Sequence, residues 1–209
     1  MKAFTKAIGV AIPFLENDVN TDQIAPVGGG VKLHEDYAET LFKNRRRRDD
    51  GSEDEEFVFN RPQFRRGAIL VTGQNFGCGS SRESAVWVFQ AIGVSCIVAR
   101  SFADIYRENC LQNGVLPIVL PDVDAARLET SVVEANGAAD FSVDLVAKTI
   151  EGPGGLRIAF DISEAERTRL LEGLDDIGLT LKHRGEIEAW EQRMAIEAPW
   201  AQRADASAL

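Results

Sequence analysis

Residues 67–90, GAILVTGQNFGCGSSRESAVWVFQ, constrain this chain more than any other stretch. The run 68–72 is short, apolar and partly β-branched, which reads as a buried strand. Gly73, Gly77 and Gly79 then punctuate a polar loop, where glycine can adopt backbone angles closed to other residues. Ser80 is expected to open a helix, and Glu83, three places on, to complete a capping box. Ala85, Val88, Phe89 and Ile92 supply the helix's apolar face. A second apolar run, VSCIVA at 94–99, follows at crossover distance, so a right-handed parallel βαβ unit is expected. Strand, glycine loop and capped helix aim two hydroxyls, an arginine and a row of amides at one spot. That combination suits an anion-binding or catalytic corner.

Composition narrows what the corner can serve. At 209 residues the chain is long enough for one domain with peripheral additions. Its 33 acidic residues against 23 basic ones give a net charge of −10, which argues against a broad nucleic-acid footprint. A local cationic pocket for an acidic ligand stays compatible with that charge. Cys78, Cys96 and Cys110 are odd in number and lack finger-like spacing, so a disulfide-built secreted domain is not expected. Cys96 sits in an apolar run and reads as an inert core thiol. The apolar run after Lys2 and Lys6 is short and contains Pro13, which fits neither a signal peptide nor a membrane span. The expectation is a cytoplasmic protein with no membrane or nucleic-acid partner.

The remaining segments read as a mixed α/β domain. A first strand is expected over 7–15, interrupted or ended at Pro13. Asn17, Asp18, Asn20, Thr21 and Asp22 then form a turn-rich cluster, read either as Asx-turns and a cap or as a site in which Asp22 orients a basic group. Gly28, Gly29 and Gly30 mark a surface loop or a mobile substrate loop, with a short helix over 35–42. Four arginines at 45–48 precede six acids in the eight residues 49–56, a solvated excursion that compensates its own charge. Phe57 to Phe59 re-enter the fold. After the βαβ unit, Ser101 with Asp104 is expected to cap a helix whose inward face is Phe102, Ile105, Tyr106, Asn109 and Cys110, ending at Gly114. A third strand over 115–120 and a helix over 124–136 follow. Phe141, Val143 and Leu145 alternate as a half-buried strand, and 149–150 with 156–160 form a hairpin around a GPGG turn. Helices from Ser163 to Leu171 and over 186–195 complete the reading.

Familiar loop chemistries do not match the corner. GCGSSR has Arg82 where a dinucleotide fingerprint needs its third glycine, and no GK[ST] follows for a Walker loop. Cys78 lacks a sequence-identifiable histidine partner, and its simplest role is filling space beside the turn. His34 and His183 have no catalytic spacing, so a histidine oriented by Asp22 would belong to another chain. Ser80 can be a cap, Ser81 a first-turn residue and Arg82 a surface partner of Glu83. Together they also offer a hydroxyl, amides and a bidentate fork to one carboxylate.

Four stretches in order, NTDQIAP at 20–26, QNFGCGSSRES at 74–84, ARSFADIYRENCLQNGVLP at 99–117 and DDIGLTLKH at 175–183, resemble the 3-isopropylmalate dehydratase small-subunit family, a branch of the aconitase-type swivelling domains. The resemblance implies one swivelling domain over 1–200 with a flexible tail over 201–209. Its fold would be a mainly parallel βαβ core plus hairpin, of three-layer β/β/α type. It implies a two-chain hydro-lyase of leucine biosynthesis, isomerising 2-isopropylmalate and 3-isopropylmalate through 2-isopropylmaleate. A large partner chain would carry a [4Fe–4S] cluster, and this chain would bind no metal. By motif matching, Ser80 resembles the base, Ser81 a substrate hydrogen-bonding neighbour and Arg82 the carboxylate ligand. Asp22 resembles the acid that pairs with a histidine of the large chain. Val27, Gly28, Gly29, Gly30, Val31, Lys32, Leu33, His34, Glu35, Asp36 and Tyr37 correspond to a specificity loop. Because VGGGVKLHEDY departs from the leucine-pathway pattern, the small chain of a citramalate or dimethylmalate hydratase is an alternative. A non-catalytic anion-binding assembly domain is another.

Overall fold

Short apolar segments build the sheet, buried almost continuously in its central parallel strands and alternately in its antiparallel ones. The computed structural model describes residues 1–26, 37–80 and 82–201. The strands are β1 (Lys6–Phe14), β2 (Gly67–Thr72), β3 (Cys96–Ala99), β4 (Leu116–Val119), β5 (Asp140–Asp144), β6 (Thr149–Glu151) and β7 (Arg157–Ala159). They form one seven-stranded sheet in the order β4-β3-β2-β1-β5-β6-β7. β1 to β4 are mutually parallel, while β5, β6 and β7 run antiparallel to their neighbours, so the expected parallel core and hairpin are both present.

Each central strand divides its side chains between two cores. Ile69, Val71, Cys96 and Val98 enter one, and Leu70, Ile97 and Ala99 enter the other. Burial on both faces is what a parallel segment requires. The first core also takes Phe141 and Val143 of β5, Ile150 of β6 and Ile158 of β7, so the sheet curls its antiparallel half over its parallel half. The two β layers are therefore parts of one sheet. Helix α6 (Asp122–Ala135) adds Ala125, Leu128 and Val132 to that core. On the opposite face, α4 (Ser84–Ala91) and α5 (Asp104–Asn113) bury Phe89, Tyr106 and Cys110.

Pro13 does not end β1. It pairs with Val71, while pairing to β5 stops at Val10, so one side of the strand is already an edge where proline is tolerated. Ile105, expected inward, is 64% exposed. The inward arc of α5 is centred on Tyr106 and Cys110, and Ile105 falls outside it. The arginine block is only partly a solvated excursion. Arg48 pairs with Asp54, but Arg45 lies 5.1 Å from the Phe57 ring and is bidentate to Glu16 at 2.7 Å. Arg46, at the end of α3 (Lys43–Arg46), is bonded to Asn60 and to the Ala38 carbonyl.

Partly buried ion pairs join α5 to the C-terminal helices. Arg107 pairs with Glu166 of α7 (Glu164–Glu172) at 2.5 Å. Arg169 of α7 reaches Glu108 at 2.7 Å and Asp176 of α8 (Asp176–Leu181) at 2.8 Å. The last long helix, α9 (Arg184–Glu197), buries no residue. No helix among the described residues is long and apolar enough to cross a membrane.

Candidate active site

The loops leaving the C-terminal ends of β1, β2 and β3 meet at one corner, where parallel α/β sheets place their ligands. They are fastened strand-fashion beyond the strands themselves. Gly77 N donates to Val19 O at 2.8 Å, Thr21 N to Cys78 O at 2.9 Å and Phe76 N to Ser101 O at 3.0 Å. Asx chemistry reinforces them. Asn17 Oδ1 accepts from Gln74 N at 2.7 Å, and Asp18 Oδ1 accepts from Asn75 Nδ2 at 2.8 Å. Asp18 and Asn75 both take positive φ, a conformation that Asp and Asn tolerate better than most residues.

Asp22 stands on α1 (Thr21–Ile24), a single turn that needs its cap. Asn20 accepts from Gln23 N, and the Gln23 side chain accepts from Asn20 N, a complete capping box. Thr21 is fully buried and its hydroxyl donates to the Ser80 carbonyl. Asp22 faces outward and accepts from Arg82 Nη2. One helical turn thus grips the glycine loop at both ends of the Ser80 to Arg82 stretch. Asp22 touches Arg82, and its neighbour Thr21 touches the Ser80 backbone, so the three positions are brought to one corner.

The capping reading of Ser80 is corrected. Helix α4 begins at Ser84 with Glu83 as its N-cap, and the Glu83 side chain makes no cap hydrogen bond. Gly77 and Gly79 at φ +77° and +85° keep the chain in a turn, and the Asn20–Cys78 and Phe76–Phe102 bridges hold it to adjacent loops. The helix starts only after those restraints end. Ser80 is exposed, and its hydroxyl is not spent on a helix end. Ser101 is likewise not the cap of α5, whose N-cap is Ala103; its hydroxyl accepts from Asn75 N at 2.8 Å and braces the glycine loop.

Arg82 is the less exposed partner of its pair, with 23% side-chain exposure against 61% for Asp22. Arg82 Nε is buried and has no partner among the described residues. The fork therefore has a donor to spare, and the carboxylate occupying it is the more solvated group. The corner is open. The larger described cavities lie elsewhere, one of about 690 Å³ beside Arg100, Pro121 and Phe160. Arg100 there is already held by Glu129 and Asp122, so that cavity has no cation to offer an acidic ligand.

Ser81 and residues 27–36 of the expected specificity loop lie outside the described residues. Tyr37, the last residue of that loop, starts α2 (Tyr37–Thr40) and packs edge-on to Trp87 of α4 at 5.5 Å. Asn17, Asp18 and Thr21, expected as Asx-turns and a cap, and Ser101, expected as a helix cap, are structural members of the corner whose bonds to the glycine loop the sequence does not show. The signal was their presence within or beside the matched motifs. Among the described residues no group of three or more His, Cys, Asp or Glu side chains could hold a metal ion. Cys96 and Cys110 are buried, and burial pushes both thiols up, away from the thiolate a cluster needs. The described residues do not fit an iron–sulfur cluster.

Comparison with known proteins places this geometry. Residues 1–123 match the family model described as the aconitase C-terminal domain, and residues 176–204 match that of the C-terminal domain of the 3-isopropylmalate dehydratase small subunit. The fold and site thus define an aconitase-type domain. A 3-isopropylmalate dehydratase small subunit of Mesorhizobium japonicum is 43% identical over 210 residues, covering 96% of this chain and 100% of its own length. The protein of the same name from Methylobacterium radiotolerans is 43% identical over 202 residues, with 96% and 100% covered. The crystal structure of a 3-isopropylmalate dehydratase from Methanocaldococcus jannaschii matches with a TM-score of 0.60 at 25% identity, covering 89% of this chain and 99% of that one. The chain belongs to the 3-isopropylmalate dehydratase small-subunit family.

Proposed function

We propose that this chain is the small subunit of a two-chain hydro-lyase that interconverts 2-isopropylmalate and 3-isopropylmalate through 2-isopropylmaleate, in leucine biosynthesis. The observation that carries the reading is the contact of Asp22 with Arg82 beside an exposed Ser80, on a chain of this family.

Ser80 takes the carbon-bound proton as an alkoxide during dehydration and returns a proton on rehydration at the adjacent carbon. A serine alkoxide needs positive charge and hydrogen-bond donors nearby, and the Arg82 guanidinium is two residues away. Arg82 binds a substrate carboxylate through its fork and stabilises the negative charge that develops on it. Asp22, exposed and singly engaged in this state, releases the fork and orients a histidine of the large chain. Ser81 hydrogen-bonds substrate, and residues 27–37 read its side chain. The [4Fe–4S] cluster resides on the large chain and, when bound, supplies a Lewis acid for the leaving hydroxyl. Free thiols at Cys78, Cys96 and Cys110 accord with the cytoplasm.

Assembly of this chain with its large partner, followed by assays on isopropylmalates, citramalate and dimethylmalate, tests the substrate. The isopropylmalates are expected to give the highest kcat/KM. Turnover confined to citramalate or dimethylmalate would contradict the leucine assignment.

A further inference from the structure

We infer that Thr21 is a positioning residue for Ser80, a role that rests on the reading of Ser80 as the proton-transferring group. Three observations carry it. Thr21 is fully buried although its hydroxyl is polar, and that hydroxyl donates to the Ser80 carbonyl 59 residues away rather than to its own helix. The same residue's backbone N–H donates to Cys78 O at 2.9 Å. Thr21 thus holds alternate residues of the glycine loop. Between them, a Cβ on Gly79 would come within 3.3 Å of Asn20 Cβ and 3.9 Å of Thr21 Oγ1, so the loop lies directly against this turn.

The adjacent residue behaves differently. Asp22 is exposed and holds Arg82, a grip that substrate or partner can replace. Thr21 is buried, β-branched and stiff at χ1, with a capped helix turn behind it. It keeps Ser80 at a constant height above the strand ends whichever carboxylate Arg82 holds. Its methyl packs and its hydroxyl positions. Loss of the hydroxyl alone leaves the Ser80 carbonyl without that donor and lets the loop shift. A displacement of about 1 Å in a reacting group can lower rate about 100-fold.

The test uses the two-chain enzyme with 3-isopropylmalate, after circular dichroism and co-purification have verified folding and assembly. Thr21→Val is expected to lower kcat about 10- to 100-fold with KM within about twofold, and Thr21→Ser to recover most of that loss. In the Ser80→Ala background, Thr21→Val is expected to lower kcat no further, because its effect passes through Ser80. Wild-type kcat in Thr21→Val, equal loss in Thr21→Ser, or the same further loss in the Ser80→Ala background would each overturn the inference. If Thr21→Val does not fold, Thr21→Ala is compared with Thr21→Ser; equal kcat in those two overturns it. Full turnover in Ser80→Ala would instead overturn the reading of Ser80 itself, so the two failures are separable.

Discussion

The Asp22 carboxylate accepts a hydrogen bond from the Arg82 guanidinium across 60 positions of sequence, joining the loop after β1 to the loop after β2. In the proposed mechanism each group has a different partner, Arg82 a substrate carboxylate and Asp22 a histidine of the large chain. The arginine fork is shaped for a carboxylate, and in this state the chain's own carboxylate engages it through Nη2 alone. Asp22 is the more exposed member and makes the weaker claim on its position.

Removing Asp22 is therefore expected to have opposite effects in two settings. In the isolated chain, Asp22→Ala frees Arg82, and 2-isopropylmaleate should bind about twofold to fivefold more tightly by calorimetry, the worth of one largely exposed ion pair. In the two-chain enzyme the same variant should lose turnover. Unchanged binding by the isolated variant would mean that Asp22 does not compete for the fork.

Gly77 and Gly79 separate space from conformation. A Cβ on Gly77 would lie 2.1 Å from Tyr106 Cγ, inside a fully buried ring, at φ +77°. Gly77→Ala should cost about 2–5 kcal/mol from left-handed strain plus overpacking. Gly79→Ala meets its nearest atom at 3.3 Å and should cost about 1–2 kcal/mol, chiefly backbone strain. Urea midpoints of the two variants check the ranking.

Arg169 is the most buried charge of the C-terminal junction, with 9% side-chain exposure and partners on two helices. Its carboxylates, Glu108 and Asp176, are 48% and 65% exposed and can rehydrate when it is removed. Arg169→Met keeps the volume and should cost about 1–3 kcal/mol in denaturant unfolding. Arg169→Ala should cost more, because the aliphatic stem packs as well as the charge.

Stability should fall toward alkaline pH. Burial pushes the Cys96 and Cys110 thiols up, and burial does the same to the Tyr106 phenol, which donates to Ala85 O at 3.1 Å. The folded chain keeps these protons where the unfolded chain releases them, so the loss begins near pH ~8.5 for the thiols and near pH ~10 for the phenol. Each thiol should contribute a slope of about 1.4 kcal/mol per pH unit once its unfolded form is ionised. Unfolding of Cys110→Val between about pH 8 and 10 should show a shallower slope than the parent. At the acidic end the sign reverses. The Arg107 guanidinium holds the Glu166 carboxyl below its usual range, so that contribution is present above the ordinary glutamate pKa and is lost as pH falls through the folded value.

Much of the architecture was legible in the residues because parallel strands leave short apolar runs and helix ends leave glycines. β3 and β4 lie inside their expected runs, β2 starts one residue before its own, and Gly114 and Gly173 take the left-handed C-cap conformation. Helix starts were less legible. Ser80 and Ser101 both look like caps, but their neighbours bond to other loops first, so tertiary contacts override the local pattern. Pro13 looked like a strand end because its tolerance depends on where β5 stops pairing. At the site, the motif resemblance named Asp22, Ser80 and Arg82, whereas Thr21 reads as an ordinary turn residue. Its burial is set by contacts 59 residues away.

In the proposed mechanism Ser80 supplies the small chain's chemistry. Formation of 2-isopropylmaleate from 3-isopropylmalate by the assembled Ser80→Ala enzyme tests it most directly. With folding and assembly intact, turnover should drop about 10²- to 10⁴-fold, the usual worth of a positioned acid–base group. Turnover equal to the parent enzyme would contradict the claim and leave this corner an anion-binding surface.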